Sequence, residues 1–307
     1  MNLSEKTKNE LCSSDLHDCC KVAALSAFVR TAGSIVVDGK NIGFSVSGNN
    51  KCVEYFAEII EQLYNCSPIF SVGGKNRISG FSLVNAHGLQ ILIDLGILRV
   101  LDGSIDINLE PDNYIVENEC CKRAYVIGAF MGGGSITVPD ESKKHTGYHL
   151  EFVFSKYLTA KHFSEMLSQL NFLPRQIERK DNFVVYFKQN EEIKDLLAYM
   201  GADKSVLTLS DLVVWREVKN KTNRTNNCLM YNMDKTVDAS IKQRNAIKII
   251  ADTVGLDKLS DELKQTAKAR IKYEDASLNE LAVKLKISKS CLNHRLRKLV
   301  KIAEELQ

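Results

Sequence analysis

Long apolar runs are missing from this sequence of 307 residues. A membrane-spanning helix needs about 20 consecutive apolar residues, and no stretch approaches that length. Residues 1–10 are polar and contain no apolar core of the kind that a secretory signal requires. We therefore expect a protein that stays in the cytoplasm and has no membrane partner.

The cysteine spacings typical of zinc sites are also missing. The nine cysteines include the adjacent pairs Cys19–Cys20 and Cys120–Cys121, but no CxxC pair is matched by a second pair or by a HxxxH. Structural zinc sites are usually built from such spacings. We therefore predict reduced cysteines that are mostly small buried side chains, with no metal and no cofactor.

Charge is distributed unevenly along the chain. Residues 1–215 contain 21 Lys or Arg and 26 Asp or Glu, a net charge of −5, whereas residues 216–307 contain 20 and 12, a net charge of +8. An acidic body with a basic C-terminal third predicts that a polyanion would bind to the C-terminal part first.

A repeat organises the first two thirds of the chain. Cys19–Ile35 reads CCKVAALSAFVRTAGSI and Cys120–Ile136 reads CCKRAYVIGAFMGGGSI, with seven of 17 positions identical at a constant offset of 101 residues. In both copies the pattern continues as strands, a helix, further strands and a short helix that ends at glycine. We predict an α+β fold in which an αββαββα domain is duplicated about a pseudo-two-fold axis and followed by an all-α domain.

The predicted organisation has four parts. Residues 102–119, between the copies, are polar and acidic and contain Pro111, which predicts a linker. The parts are a first repeat over 1–110, a second repeat over 118–215, an Asn-rich basic linker with a connecting helix over 216–256, and a helix-turn-helix domain over 257–307.

The last part contains the pattern of a helix-turn-helix. Ser277 and Glu280 have the spacing of a capping box, and apolar residues follow at helical intervals. Lys286 and Ile287 are expected to form the turn, with Ile287 buried, and Ser288 to cap the second helix. Residues 284–301 hold seven Lys or Arg and no acid.

We predict that this second helix binds double-stranded DNA. Asn and Arg side chains form paired hydrogen bonds with adenine and guanine edges in the major groove, whereas other basic side chains hold phosphates. The alternative is a three-helix bundle with a solvated basic face. The predicted DNA-binding residues are Ser288, Lys289, Ser290, Asn293, His294, Arg295, Arg297 and Lys298.

The first helix of each repeat resembles the LAGLIDADG motif of homing endonucleases. The matching segments are Leu25–Gly33 (LSAFVRTAG) and Val126–Gly134 (VIGAFMGGG). Small residues at Ala27 and Gly128 would let the two helices pack closely. The resemblance implies that the C-terminal ends of both helices meet at the centre of the duplicated domain.

The acids that such a nuclease needs are absent from these motifs. The resemblance implies that a nuclease of this type uses one carboxylate from each helix, directly before the final glycine, to hold the metals for phosphodiester hydrolysis. Those positions are Ala32 and Gly133, so we predict no catalytic residue and no enzyme activity. Asp38 and Asp140 follow the motifs and are the alternative ligands, but they lie beyond the predicted helix ends.

From about Ser14 to its end, the sequence resembles the WhiA family of bacterial regulators. The most specific marks are RAYVIGAFMGGGSI at 123–136, NKTNRTNNC at 220–228 and ISKSCLNHRLRKL at 287–299. The resemblance implies a LAGLIDADG-like domain without nuclease activity joined to a helix-turn-helix. It also implies DNA binding with a role in cell division, chromosome segregation or sporulation transcription.

Two other functions stay open at this point. One is an adaptor whose LAGLIDADG-like domain binds another protein regulator or a ligand, with the helix-turn-helix only localising it. The other is an active homing endonuclease or maturase. Ala32 and Gly133 argue against it, because neither side chain can hold a metal.

A second polar cluster consists of Asn220, Asn223, Arg224 and Asn227. It has two interpretations: contacts to nucleic acid or to the other domain, or a hydrogen-bonded turn network that caps neighbouring helices. We favour the turn network slightly, because Asn is a common turn and cap residue.

Overall fold

The structure is a computed structural model that describes residues 2–74, 77–139 and 147–306. The chain divides into two compact units, Met1–Val214 and Trp215–Gln307. Among the described residues, no helix has the length and apolarity needed to cross a membrane.

The first repeat contains a four-stranded antiparallel sheet. Its strands have the order β1-β2-β4-β3, with helices before, between and after the two strand pairs. The elements from the beginning of the chain are α1 (Leu3–Leu11), α2 (Asp18–Ala32), β1 (Gly33–Asp38), β2 (Asn41–Ser47), α3 (Asn50–Tyr64), β3 (Ile69–Val72), β4 (Ile78–Leu83) and α4 (Ala86–Asp94).

The second repeat has the same element order and the sheet order β7-β8-β10-β9. The predicted α+β fold with two αββαββα copies is therefore confirmed. The segment before this repeat contains β5 (Leu98–Leu101), β6 (Ser104–Ile107) and α5 (Asn113–Val116). The elements of the second repeat are α6 (Glu119–Gly133), β7 (Gly134–Thr137), β8 (His149–Phe154), α7 (Tyr157–Gln169), β9 (Arg175–Arg179), β10 (Asn182–Phe187) and α8 (Asn190–Met200).

The segment between the repeats is more structured than the predicted linker. Strands β5 and β6 form a hairpin whose two turn residues, Asp102 and Gly103, both have positive φ (50° and 79°). Asp-Gly suits this turn because both residues tolerate the left-handed region. The polar composition of residues 102–119 hid the second strand and the short helix α5.

The polar N-terminus forms a helix that sequence reasoning missed. Leu3 and Leu11 of α1 are buried. The Glu10 carboxylate accepts hydrogen bonds from the backbone N–H groups of Lys204 (2.7 Å) and Ser205 (3.0 Å). Lys204 and Ser205 lie in the first turn of a later helix, which begins at Asp203. The Glu10 carboxylate stabilises that helix, because the first N–H groups of a helix have no partners within it.

Helices α2 and α6 lie against each other in the core of the first unit. Ala24 of α2 and Gly128 of α6 are small residues at this contact, and Ala24 is buried. A Cβ added at Gly128 would overlap the backbone of Ala24. The predicted close approach of the two motif helices is thereby confirmed at Gly128, and Ala27, the small residue predicted for α2, is buried.

The second unit is all-α. Helix α9 (Asp203–Thr253) begins in the first unit and ends in the second, and a single 3-10 turn (Leu256–Lys258) leads to α10 (Asp261–Lys272). Helices α11 (Leu278–Leu285) and α12 (Lys289–Glu305) complete the unit. Its core is formed by apolar residues of all four helices, including Ile247, Leu263, Leu281 and Leu296.

The Asn-rich segment does not break the helix, so the turn-and-cap interpretation is wrong. Residues 220–232 lie inside the 51 residues of α9. The sequence has no glycine or proline between Gly201 and Gly255, and Asn costs a helix well under 1 kcal/mol per residue. The Thr222 and Thr225 hydroxyls donate to carbonyls one turn earlier in the helix.

Candidate nucleic-acid interface

The start of α11 has the predicted capping box. The Ser277 hydroxyl accepts the Glu280 N–H (3.3 Å), and the Glu280 carboxylate accepts the Ser277 N–H (2.8 Å). This second contact lowers the pKa of the Glu280 carboxyl, with the Ser277 side chain and Lys284 adding to the effect. Two backbone N–H groups that the helix cannot satisfy thereby gain acceptors.

The turn between α11 and α12 is short and tightly bonded. Lys286 adopts the left-handed conformation (φ 54°), and the Ile287 N–H donates to the Ala282 carbonyl (3.0 Å). Ser288 then caps α12 by accepting the Cys291 N–H (3.2 Å). Ile287 is half-buried rather than buried as predicted, although it does contact the core.

A buried arginine, which sequence reasoning missed, holds the approach to α11. Arg270 is 1% exposed, and its guanidinium donates to the Ala276 carbonyl directly before Ser277. Burial, together with the nearby Arg244, lowers the pKa of the guanidinium. No sequence pattern signals it, because arginines in a polar helix usually face solvent.

The predicted DNA-binding residues of α12 occupy two different environments. The inner face of the helix is formed by Leu292, Leu296 and Leu299, which are all buried. Asn293 is half-buried at the edge of that face. The residues exposed on the outer side and around the N-terminal end are Ser288, Lys289, Ser290, His294, Arg297 and Lys298.

Arg295 differs from the other predicted contacts. Its Nη2 lies 3.0 Å from Glu262 Oε2 of α10, and its side chain is 16% exposed. The guanidinium is therefore engaged within the protein. This placement weighs against the predicted phosphate contact and favours a role in holding α12 on α10.

A cavity of about 380 Å³ lies beside the N-terminal ends of α11 and α12. Lys235, Arg270 and Lys289 supply positive charge to its lining. Gln243 Oε1 and Arg270 Nε, also in residues that line it, are buried without a hydrogen-bond partner among the described residues. Helix N-termini with nearby cations form a favourable environment for an anion such as a phosphate.

The Asn/Arg cluster lies on one exposed face of α9. Asn220, Asn223, Arg224 and Asn227 are spaced i, i+3, i+4 and i+7, which places them in one row along a helix. All four side chains are exposed. The structure thus places these residues in one row of a continuous helix, not in a turn that caps neighbouring helices.

The centre of the duplicated domain lacks the nuclease acids. Ala32 and Gly133 are the last residues of α2 and α6, and both are half-buried. A Cβ at Gly133 would lie 2.6 Å from the Val153 carbonyl oxygen, so a longer side chain does not fit without a backbone shift. Asp38 is exposed at the end of β1, and Asp140 lies outside the described residues.

Near the same helix end, Arg30 is bound by backbone carbonyls. Its guanidinium donates to the carbonyls of Gly96 (2.6 Å), Asn108 (2.6 Å) and Glu110 (3.0 Å). These bonds tie the last turn of α2 to the segment between the repeats. Within 2–74, 77–139 and 147–306, no cluster of potential metal ligands includes a residue of this region.

Comparisons with known proteins cover both units. The family described as "WhiA LAGLIDADG-like domain" matches residues 122–219, and "WhiA C-terminal HTH domain" matches residues 222–303. The probable cell division protein WhiA of Alkaliphilus metalliredigens (strain QYMF) is 36% identical over 315 residues, covering 99% of this chain and 98% of the relative. The Clostridium beijerinckii protein of the same name is 35% identical, covering 100% and 99%.

A solved structure has the same fold. The crystal structure of full-length DUF199/WhiA from Thermatoga maritima is similar with a TM-score of 0.56 at 22% identity, covering 98% of this chain and 97% of that one. With near-complete coverage by relatives more than 30% identical, the chain belongs to the WhiA family.

Proposed function

We propose that this protein is a sequence-specific regulator that binds double-stranded DNA through α11 and α12 and has no nuclease activity. The observation that carries the proposal is the exposed side of α12, where Lys289, Arg297 and Lys298 lie in a run from 284 to 301 that contains no acid. This helix is the second of a capped helix-turn-helix. Such a helix fits the major groove, where cations hold phosphates and Asn or Arg reads bases.

The proposed contacts divide by chemistry. Asn293 and Arg297 read base edges, and Lys289 and Lys298 hold phosphates, with Ser288, Ser290 and His294 beside them. The cationic cavity next to α11 supports a further phosphate contact through Lys235, and the exposed row at 220–227 supports contacts to the same duplex. Arg295 is left out because Glu262 already pairs with it.

The relatives' name, probable cell division protein, supports a role in cell division for this chain. We propose that the protein acts at the chromosome in the cytoplasm. It would contribute to cell division through chromosome segregation or through control of transcription, including the transcription of sporulation genes. The net charge of −5 on residues 1–215 makes that part a poor DNA-binding surface and supports a second contact there, to another protein regulator.

The DNA proposal is tested on duplexes recovered from a genome-wide binding map. Arg297→Ala and Asn293→Ala are each expected to weaken the recovered site by roughly 1–3 kcal/mol and to relax its sequence preference. Lys298→Ala is expected to weaken all duplexes alike and to lower the salt slope of log K by about 1. Fluorescence anisotropy at several salt concentrations measures both effects.

The double variant Arg295→Ala/Glu262→Ala is the matched control. It changes one residue of α12 and one of α10, and it leaves the net charge of the protein unchanged. It removes an ion pair within the protein rather than a cation that faces solvent. DNA affinity is expected to stay within twofold. Equal loss in this variant and in Arg297→Ala would contradict the proposed reading face.

The absence of nuclease activity is tested by incubating supercoiled plasmid with the full chain and Mg²⁺ or Mn²⁺. Intact plasmid is expected, because the helix ends at Ala32 and Gly133 offer no carboxylate to a metal. Cleavage that is lost on changing the residues around these helix ends would overturn this part of the proposal.

A further inference from the structure

Four cysteine sulfurs lie together at the N-terminal ends of the two central helices. Cys19 and Cys20 belong to α2, Cys120 and Cys121 belong to α6, and all four Sγ atoms lie within 4.8 Å of one another. The pairs are equivalent in the repeat, at the offset of 101 residues. They lie at the opposite end of the helices from Ala32 and Gly133, about 18 Å along the axis.

The spacing of the sulfurs matches a tetrahedral metal site. Zn–S bonds of about 2.3 Å place neighbouring sulfurs of a tetrahedral site about 3.8 Å apart. The Cys19–Cys20 and Cys120–Cys121 sulfurs are 3.9 and 4.0 Å apart. A disulfide would need about 2.0 Å, so the cluster is closer to the geometry of four metal ligands than to that of a bonded pair.

The surroundings favour the negative charge of bound thiolates. The Lys21 N–H bonds to the His17 carbonyl and the Lys122 N–H to the Asn118 carbonyl, so the N–H groups before them have no partner within their helices. Neither N-cap residue contributes a side-chain cap bond. Two helix N-termini, each with roughly half a positive charge, thus converge on the cysteines.

We propose that Cys19, Cys20, Cys120 and Cys121 form a binding site for one thiophilic divalent cation, Zn²⁺ above all, which clamps the two repeats together. Four sulfur ligands select Zn²⁺ over hard cations such as Mg²⁺. Cys20 and Cys121 are buried and anchor the site, while the exposed Cys19 and Cys120 let the ion enter and leave. Each thiol gives up its proton to solvent when the ion binds.

The proposal is tested on the full chain, purified with a reductant and stripped of metal by a chelator. Co²⁺ is the probe, because tetrahedral cobalt thiolates absorb strongly through sulfur-to-metal charge transfer. We expect this absorption to saturate at one Co²⁺ per chain, to be displaced by Zn²⁺, and Zn²⁺ to raise the Tm of the protein.

The double variant Cys20→Ser/Cys120→Ser removes one ligand from each helix and is expected to lose both the absorption and the Zn²⁺-dependent rise in Tm. Cys228→Ser, an exposed cysteine outside the cluster, is the matched control and is expected to keep both. Because serine at the buried Cys20 can weaken folding, Cys19→Ser is the second variant. It changes an exposed position, and we expect its Zn²⁺ affinity to fall by more than about tenfold with unchanged circular dichroism.

Three results would overturn the proposal. The first is a folded, reduced wild-type chain that gives no cobalt absorption. The second is Zn²⁺-dependent stabilisation that is equal in the wild type and the double variant. The third is a disulfide between the two helices that persists in reductant while no metal binds.

Discussion

Replacing Gly128 with alanine measures how closely the two central helices pack. The added Cβ would overlap the carbonyl and Cα of Ala24, so backbone rather than a mobile side chain would have to move. Alanine gains about 1 kcal/mol over glycine in a helix interior. Overpacking costs roughly 1–3 kcal/mol. The cost at Gly128 should lie at or above the upper limit of this range, because the clash is with backbone in the buried contact between α2 and α6. We therefore expect a net destabilisation of about 2 kcal/mol.

Scanning calorimetry of the full chain checks this value. For a unit of this size, 2 kcal/mol corresponds to a fall in Tm of roughly 4–8 °C in the transition of the first unit. Gly48→Ala is the control, because a Cβ there meets nothing within 4 Å. If Gly128→Ala is as stable as the wild type, or gains the 1 kcal/mol of helix propensity, the close approach of the helices is refuted.

Further predictions concern single contacts. Ser277→Ala should lower the stability of the second unit by about 1 kcal/mol in urea, because an N–H of α11 loses its acceptor. The Ser277 N–H lowers the pKa of Glu280, so the stabilisation from Glu280 should be complete above the unfolded-state value near 4.3. It should be lost as the pH falls through the lower folded value, and Glu280→Gln should remove this acid-side slope. Arg30→Ala leaves three carbonyls without their donor and should lower the stability of the first unit by about 3 kcal/mol in urea. Arg30→Lys should restore only part of this stability, because an ammonium group cannot form the same set of hydrogen bonds as the planar guanidinium. Asn223→Pro should interrupt α9 at a cost of about 3 kcal/mol and lower far-UV circular dichroism, whereas Asn223→Ala should not.

The repeat and the helix-turn-helix could be predicted because their patterns are local. Apolar residues at helical intervals and a capping box depend on neighbours a few positions away in the chain. The element order of both copies and the two caps at Ser277 and Ser288 were therefore predicted correctly. The partner of Arg295 was not, because Glu262 lies on another helix and only packing brings the two together.

The long helix shows how composition can mislead. Asn favours turns, which is why the cluster between Asn220 and Asn227 predicts a turn network, but glycine and proline, the residues that most strongly end helices, are absent from it. The better indicator was the absence of glycine and proline between Gly201 and Gly255. The spacing of Asn220, Asn223, Arg224 and Asn227, which suits one helix face, pointed the same way.

The cysteine cluster was missed for a related reason. Metal-site patterns are sought within a short stretch of chain, whereas these four ligands are two pairs 101 residues apart. The repeat itself contained the information, since a pseudo-two-fold axis brings equivalent ends of α2 and α6 together. Identical residues at the same position of both copies are therefore candidates for a shared site.

The tight space at Gly133 restricts what a mutation at this position can add. A Cβ there would lie 2.6 Å from the Val153 carbonyl oxygen and 3.3 Å from the Thr31 Cβ, so a carboxylate side chain would collide with backbone before it could reach a metal. A metal held by one carboxylate from each helix would also require a change at Ala32. Two substitutions and a backbone shift therefore separate these helix ends from a pair of acidic metal ligands.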